Sequence, residues 1–165
     1  MWANGAEYEE IKYEEGPTSF ISYKISYDRN EGRISLYMTQ KVLEAVREYL
    51  PQLLQGVRPS ASLEKGQTLE RLADELKLPP AEQRRARLDK NQRKVQSIIG
   101  SIKFIEKVRV DLSLAMHRLS CVMSYPPDGA LRVAELVLER AYDGRNKGIT
   151  SYGGVEEQGL AGLEV

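Results

Sequence analysis

Few side chains in this sequence are equipped for chemistry, and their spacing limits what that chemistry could be. There is one histidine, His117, and one cysteine, Cys121. A single His removes the His-rich metal sites and leaves a nucleophile–base pair hard to assemble. A single Cys excludes a disulfide framework and any Cys-based zinc site. His117 falls mid-helix beside Arg118 and reads as a surface or boundary residue. Cys121 shares an apolar stripe with Leu119 and Val122 and reads as a small buried hydrophobe. The paired carboxylates Glu9-Glu10 and Glu156-Glu157 lie in acidic segments without a rigid scaffold, so no acid/base geometry is expected of them. Phosphate loop, dinucleotide fingerprint and nucleophile elbow are all missing. The expectation is therefore no catalytic residue, no metal ligand and no cofactor.

One candidate binding feature remains. Residues 82–94, EQRRARLDKNQRK, carry Arg84, Arg85, Arg87, Lys90, Arg93 and Lys94 against Glu82 and Asp89. On a helix, Arg84, Arg87 and Lys94 would share a side, and Lys90 and Arg93 would extend the positive surface. Such a ridge suits phosphates and implies salt-dependent binding. The alternative is a solubilising surface. The opposite charge collects at residues 7–15, EYEEIKYEE, so the segregation implies opposite partners or mutual contact, or two solvated faces.

These segments sit in a chain of 165 residues with 24 Lys+Arg, 24 Asp+Glu and 41% hydrophobic residues. That length suits one domain with a modest core. Zero net charge argues against a wholesale polyanion binder and confines any nucleic-acid role to local charge. No run approaches the roughly 20 apolar residues that span a bilayer. The opening residues carry neither a basic region nor an apolar one, so no signal peptide is read. With one Cys, an intracellular reducing compartment is expected.

The elements that would position these side chains follow from periodicity. Residues 1–17 end in Gly16-Pro17 and read as an acidic arm. Ile21, Tyr23, Ile25 and Tyr27 alternate with polar residues, as do Ile34, Leu36 and Met38. The turn Asp28–Gly32 between them predicts a β-hairpin with one buried face. A lone hairpin is marginal in water, so that face needs helices or a second sheet. Helical spacing predicts a helix from an N-cap at Thr39, broken at Pro51 and closed at Gly56. A short helix over Leu69–Leu76 follows, then a long one from about Ala81 to Lys107. Two more are predicted, capped by Asp111 and Asp128. From Gly144 to Val165 the composition predicts a Gly-rich tail that does not fold alone. The fold class expected is α+β, one β-hairpin followed by four or five helices over residues 18–143.

In that order the elements resemble the Pol region of Ty1/copia-type retrotransposons, between the polymerase active site and ribonuclease H. Residues 20–54, FISYKISYDRNEGRISLYMTQKVLEAVREYLPQLL, are similar to the family's "FLGIEI…, turn, …I-L-S-Q-x-K-Y-I-x-x-L-L" segment. Residues 57–63, VRPSASL, resemble its "C-K-P-V-x-T-P-L" connector. Residues 95–115, VQSIIGSIKFIEKVRVDLSLA, resemble "Y-R-S-L-V-G-S-L-x-Y-L…T-R-P-D-I-x-x-A". Leu119-Ser120, Pro126, Gly144 and Gly148-Ile149 continue the series. Ser22 stands where the family has Gly, Val110 where it has Pro, and Phe104 where it has Tyr. The family's polymerase aspartates would precede residue 1. Its ribonuclease H acids would follow residue 152, where this chain has GGVEEQ. The resemblance implies a non-catalytic thumb-and-connection piece, a part that grips the template–primer backbone in the family. Two readings stay open. One is an accessory or structural subunit that docks on other protein chains. The other is a nucleic-acid backbone binder using the basic residues above, with Lys24 of the hairpin near a primer strand.

Overall fold

A computed structural model of the protein describes residues 19–20, 22–58, 67–81, 84 and 87–152. The acidic arm, Arg85, and the tail beyond residue 152 lie outside the described residues. The fold is α+β. Strands β1 (Ser19–Phe20), β2 (Tyr23–Asp28), β3 (Arg33–Tyr37) and β4 (Ile149–Tyr152) form one antiparallel sheet in that order. The β2–β3 hairpin is closed by Asp28, whose Oδ1 accepts from the amides of Asn30 (3.0 Å) and Glu31 (3.3 Å). Gly32 takes the positive φ, 57°, that the turn requires. The β1–β2 turn makes the same demand of Ser22, which sits at φ 70°. A left-handed backbone costs a side-chain-bearing residue about 1–2 kcal/mol.

Helix α1 (Thr39–Tyr49) ends where Pro51 removes a backbone donor, and a 3-10 turn, Pro51–Gln55, closes on left-handed Gly56. Then come α2 (Leu69–Asp74), α3 (Lys90–Ile105), a 3-10 turn at Val110–Leu112, α4 (Ser113–Val122) and α5 (Ala130–Asp143). Their apolar stripes meet in one core. Val46, Leu50, Ile98, Ile102, Leu112, Met116, Leu119 and Leu138 are all fully buried there. Each such side chain contributes about 1.5–3 kcal/mol through water exclusion. The hairpin and this helical stripe pattern match the sequence expectation.

Several boundaries do not. The long helix begins at Lys90, not Ala81. Asp89 has extended backbone and accepts the Gln92 amide at 2.7 Å, while Gln92 Oε1 accepts the Asp89 amide at 3.0 Å. This capping box starts the helix and leaves the preceding charges outside it. Thr39 is the first helical residue rather than the cap, and its hydroxyl donates to the Arg145 carbonyl at 2.8 Å. Asp111 and Asp128 cap no helix. The first is held by Arg109, and α5 starts instead from left-handed Gly129. Finally, residues 149–152 of the expected tail form β4. Gly148 makes this possible, because a Cβ there would collide with the Leu36 carbonyl.

Candidate functional site

The basic segment was the sequence's one candidate site, and the structure divides it. Lys90, Arg93 and Lys94 stand on the first turns of α3, while Arg84 and Arg87 precede the helix. Arg84 is exposed and donates from Nε to the Pro79 carbonyl at 2.6 Å. Arg93 is exposed and bonds back to the Asp89 carbonyl at 3.3 Å. Lys94 is neutralised by Glu135 of α5, with Nζ to Oε1 at 2.7 Å. Because α3 starts at Lys90, the described basic residues do not share one continuous helical ridge.

Lys24 is exposed on β2, opposite Tyr37, and belongs to another part of the molecule. Helix α3 runs antiparallel to α1, since Ser101 meets Tyr49 while Phe104 and Lys41 share a groove. Its C-terminal end is therefore the one near the sheet. The 16 residues of α3 hold its basic end about 24 Å farther off. Arg84, Arg87, Lys90 and Arg93 are exposed around the start of α3, and Lys24 does not join them.

His117 and Cys121 lie four residues apart on α4, with Nε2 and Sγ 3.8 Å from each other, and both are exposed. The expectation of a buried Cys121 is therefore corrected. The buried stripe of α4 runs through Ala115, Met116, Leu119 and Val122, and position 121 faces outward from it. Among the described residues no group of three or more His, Cys, Asp or Glu could hold a metal ion. No helix among them is long and apolar enough to cross a membrane.

A buried cation that the sequence did not flag organises the junction between bundle and sheet. Arg109 is 3% exposed. Its Nε and Nη2 each donate to Asp111 at 2.8 Å, giving a two-pronged ion pair. Nη1 donates to the carbonyls of Ala141 (3.0 Å) and Gly144 (2.6 Å), and Nη2 also reaches that of Arg140 (3.2 Å). The guanidinium thus satisfies the orphan carbonyls at the end of α5. Hydrogen bonding from Arg109 holds the Asp111 carboxyl below its ordinary range. With every prong committed within the chain, Arg109 is a structural clasp. The signal in the sequence is the Arg-x-Asp spacing at 109–111, although the carboxylate taken alone suggests a helix cap.

The sheet supplies the surface that sequence periodicity placed inside. Register puts Ile25, Leu36 and Ile149 in one row and Tyr27 with Ile34 in the next, all on the same face. The alternation predicted this face correctly, yet its expected helical cover is absent among the described residues. Tyr27 is 57% exposed, and Ile34 is 46% exposed although β3 has strands on both sides. The opposite face is polar, with Ser26, Ser35 and Thr150 in one row and a 3.1 Å contact between the Ser35 and Thr150 hydroxyls. The sheet hangs from the bundle through Met38-Thr39 on one side and the run from Gly144 to Gly148 on the other. Among the described residues no helix covers its apolar face.

No protein family, no curated protein and no solved structure matches the chain.

Proposed function

We propose that the chain is a non-catalytic, retrotransposon-derived thumb-and-connection piece that works as an accessory subunit, docking on another protein. The observation that carries this reading is the exposed apolar sheet face formed by Tyr27, Ile34 and Ile149 beside half-buried Ile25 and Leu36. Contiguous apolar surface of this kind marks interaction sites on folded proteins. The residue types support the same view. The described residues hold no group of three or more His, Cys, Asp or Glu that could hold a metal ion.

The test is to isolate the native chain with its bound proteins and repeat with Ile34→Asp. Loss of a stoichiometric partner, with the helical circular dichroism unchanged, supports the reading. Retention of every partner by that variant and by Tyr27→Asp overturns it.

A specific observation favours a second reading. Arg84, Arg87, Lys90 and Arg93 are exposed at one end of the molecule and could contact phosphates. On that reading an RNA–DNA hybrid binds with steeply salt-dependent affinity, and Arg84→Glu with Arg87→Glu abolishes it. An absence of binding at low salt ends it.

A further inference from the structure

We infer that His117 and Cys121 chelate a zinc ion, and that the same pair from a second copy of this chain completes its coordination. The inference uses α4 rather than the sheet face, so it stands or falls apart from the docking proposed above.

The chain's one His and one Cys lie four residues apart on α4, a spacing that makes two side chains neighbours on a helix. Both are exposed, and His117 Nε2 faces Cys121 Sγ at 3.8 Å. A tetrahedral zinc ion holds an imidazole nitrogen at about 2.0–2.1 Å and a sulfur at about 2.3 Å, which sets the two ligand atoms about 3.5–3.6 Å apart. The pair therefore already stands close to the bite of a chelate, and a small rotation of either side chain closes the gap. Imidazole with thiolate is a donor set for zinc, whereas magnesium and calcium take oxygen.

One chain supplies two of the four ligands. It has no other His or Cys, and the described residues hold no group of three or more His, Cys, Asp or Glu that could hold a metal ion. A count made within one chain finds no site, which is why the sequence alone predicts none. Two copies around a two-fold axis supply two nitrogens and two sulfurs. Each thiol gives its proton to solvent on binding, so two thiolates balance the dication.

The surroundings of the pair suit a second copy. Leu114, His117 and Cys121 fall within about 60° of arc at 3.6 residues per turn, on the side away from buried Ala115, Met116, Leu119 and Val122. Val110 continues the line one turn earlier. Leu114 is 49% exposed and Val110 67%. The 4-3-4 spacing of positions 110, 114, 117 and 121 is that of a helix-pairing seam. Arg118, the cation beside the pair, is neutralised by Asp74 at 2.6 Å. Two aliphatic side chains per copy bury too little area for a stable dimer alone, so the ion is what holds the copies together.

The experiment follows the tag-free full chain, kept reduced with a phosphine, by light scattering and by cobalt substitution. Zinc should double the scattering mass with an end point at one ion per two chains, and a chelator should reverse it. Cobalt should give thiolate-to-metal absorption and the strong visible bands of a tetrahedral ion, with the same end point. Cys121→Ser and His117→Ala should each lose the doubling while the helical circular dichroism stays unchanged. His117→Gln is the second variant should the alanine lose its fold. Leu114→Glu should weaken zinc-dependent pairing by at least about tenfold, because it sets like charges against each other across the seam.

No thiolate absorption at excess cobalt overturns the proposal. A one-to-one end point on a chain of unchanged mass overturns it as well, because water would then complete the coordination. So does pairing that survives the chelator or either ligand substitution, which would place the contact elsewhere.

Discussion

The helical bundle and the sheet were built from the same kind of residue but resolve it in opposite ways. In the bundle, isoleucines such as Ile98 and Ile102 are fully buried among five helices. In the sheet, Ile34 alternates just as regularly and is left 46% exposed. Periodicity specifies which side of an element is apolar, and it is silent on whether anything arrives to cover that side. The bundle makes its own cover because its amphipathic elements face one another. Among the described residues the sheet is a single layer.

That contrast can be broken most sharply in the core. Ile102→Ala should cost about 2–5 kcal/mol in urea unfolding, since it empties a closed site. A loss below 1 kcal/mol would mean that the bundle is as loosely committed as the sheet.

Arg109→Ala comes next, at about 2–4 kcal/mol, because it leaves buried carbonyls at the end of α5 without donors. Arg109→Lys should recover only part of this, as an ammonium cannot reproduce the two-pronged contact with Asp111. Thermal denaturation of the three proteins checks both.

Ser22→Gly relieves a left-handed serine and should stabilise the sheet by about 1 kcal/mol. Amide exchange across β2 and β3 should slow. A matching rise in global stability would show that sheet and bundle unfold together, and a purely local effect would show that they do not.

The acid limb of stability offers a smaller test. The Asp111 carboxyl titrates below its ordinary value in the folded chain, chiefly through its hydrogen bonds from Arg109. Its contribution is therefore present above the carboxyl's unfolded value and is lost as pH falls through the lowered folded one. Asp111→Asn should flatten the decline of the urea midpoint in that acidic range.

The smallest expected effect is that of Ile34→Ala, within about 0.5 kcal/mol of the parent chain, as for other exposed positions. A loss as large as that of Ile102→Ala would mean that Ile34 is packed as closely as the bundle's core.

The same comparison explains what the sequence could and could not reveal. The hairpin, the break at Pro51 and the stripes of α3, α4 and α5 were legible because each is local and repeats. Strand β4 was not. Its four residues, ITSY, follow a Gly-rich stretch and owe their conformation to β3 and to the close approach at Gly148. The start of α3 was misplaced because a run of Arg, Gln and Lys carries no helix breaker, although Asp89 and Gln92 stood at capping-box spacing. The basic ridge failed with it. Arg109 was invisible as a clasp because its carbonyl acceptors lie more than thirty residues away, at the end of another helix. Cys121 was assigned inward on neighbours alone, and one position of helical rotation sufficed to turn it out.

The clasp at Arg109 also has a mechanical meaning. Only the short run from Gly144 to Gly148 separates the end of α5 from β4, and the guanidinium grips the first residue of that run through its carbonyl. Tension applied to the outer strand would be transmitted into the interior as a pull on a sequestered positive charge. Whatever seizes the sheet must therefore move it together with α5, as a rigid handle rather than a loose flap.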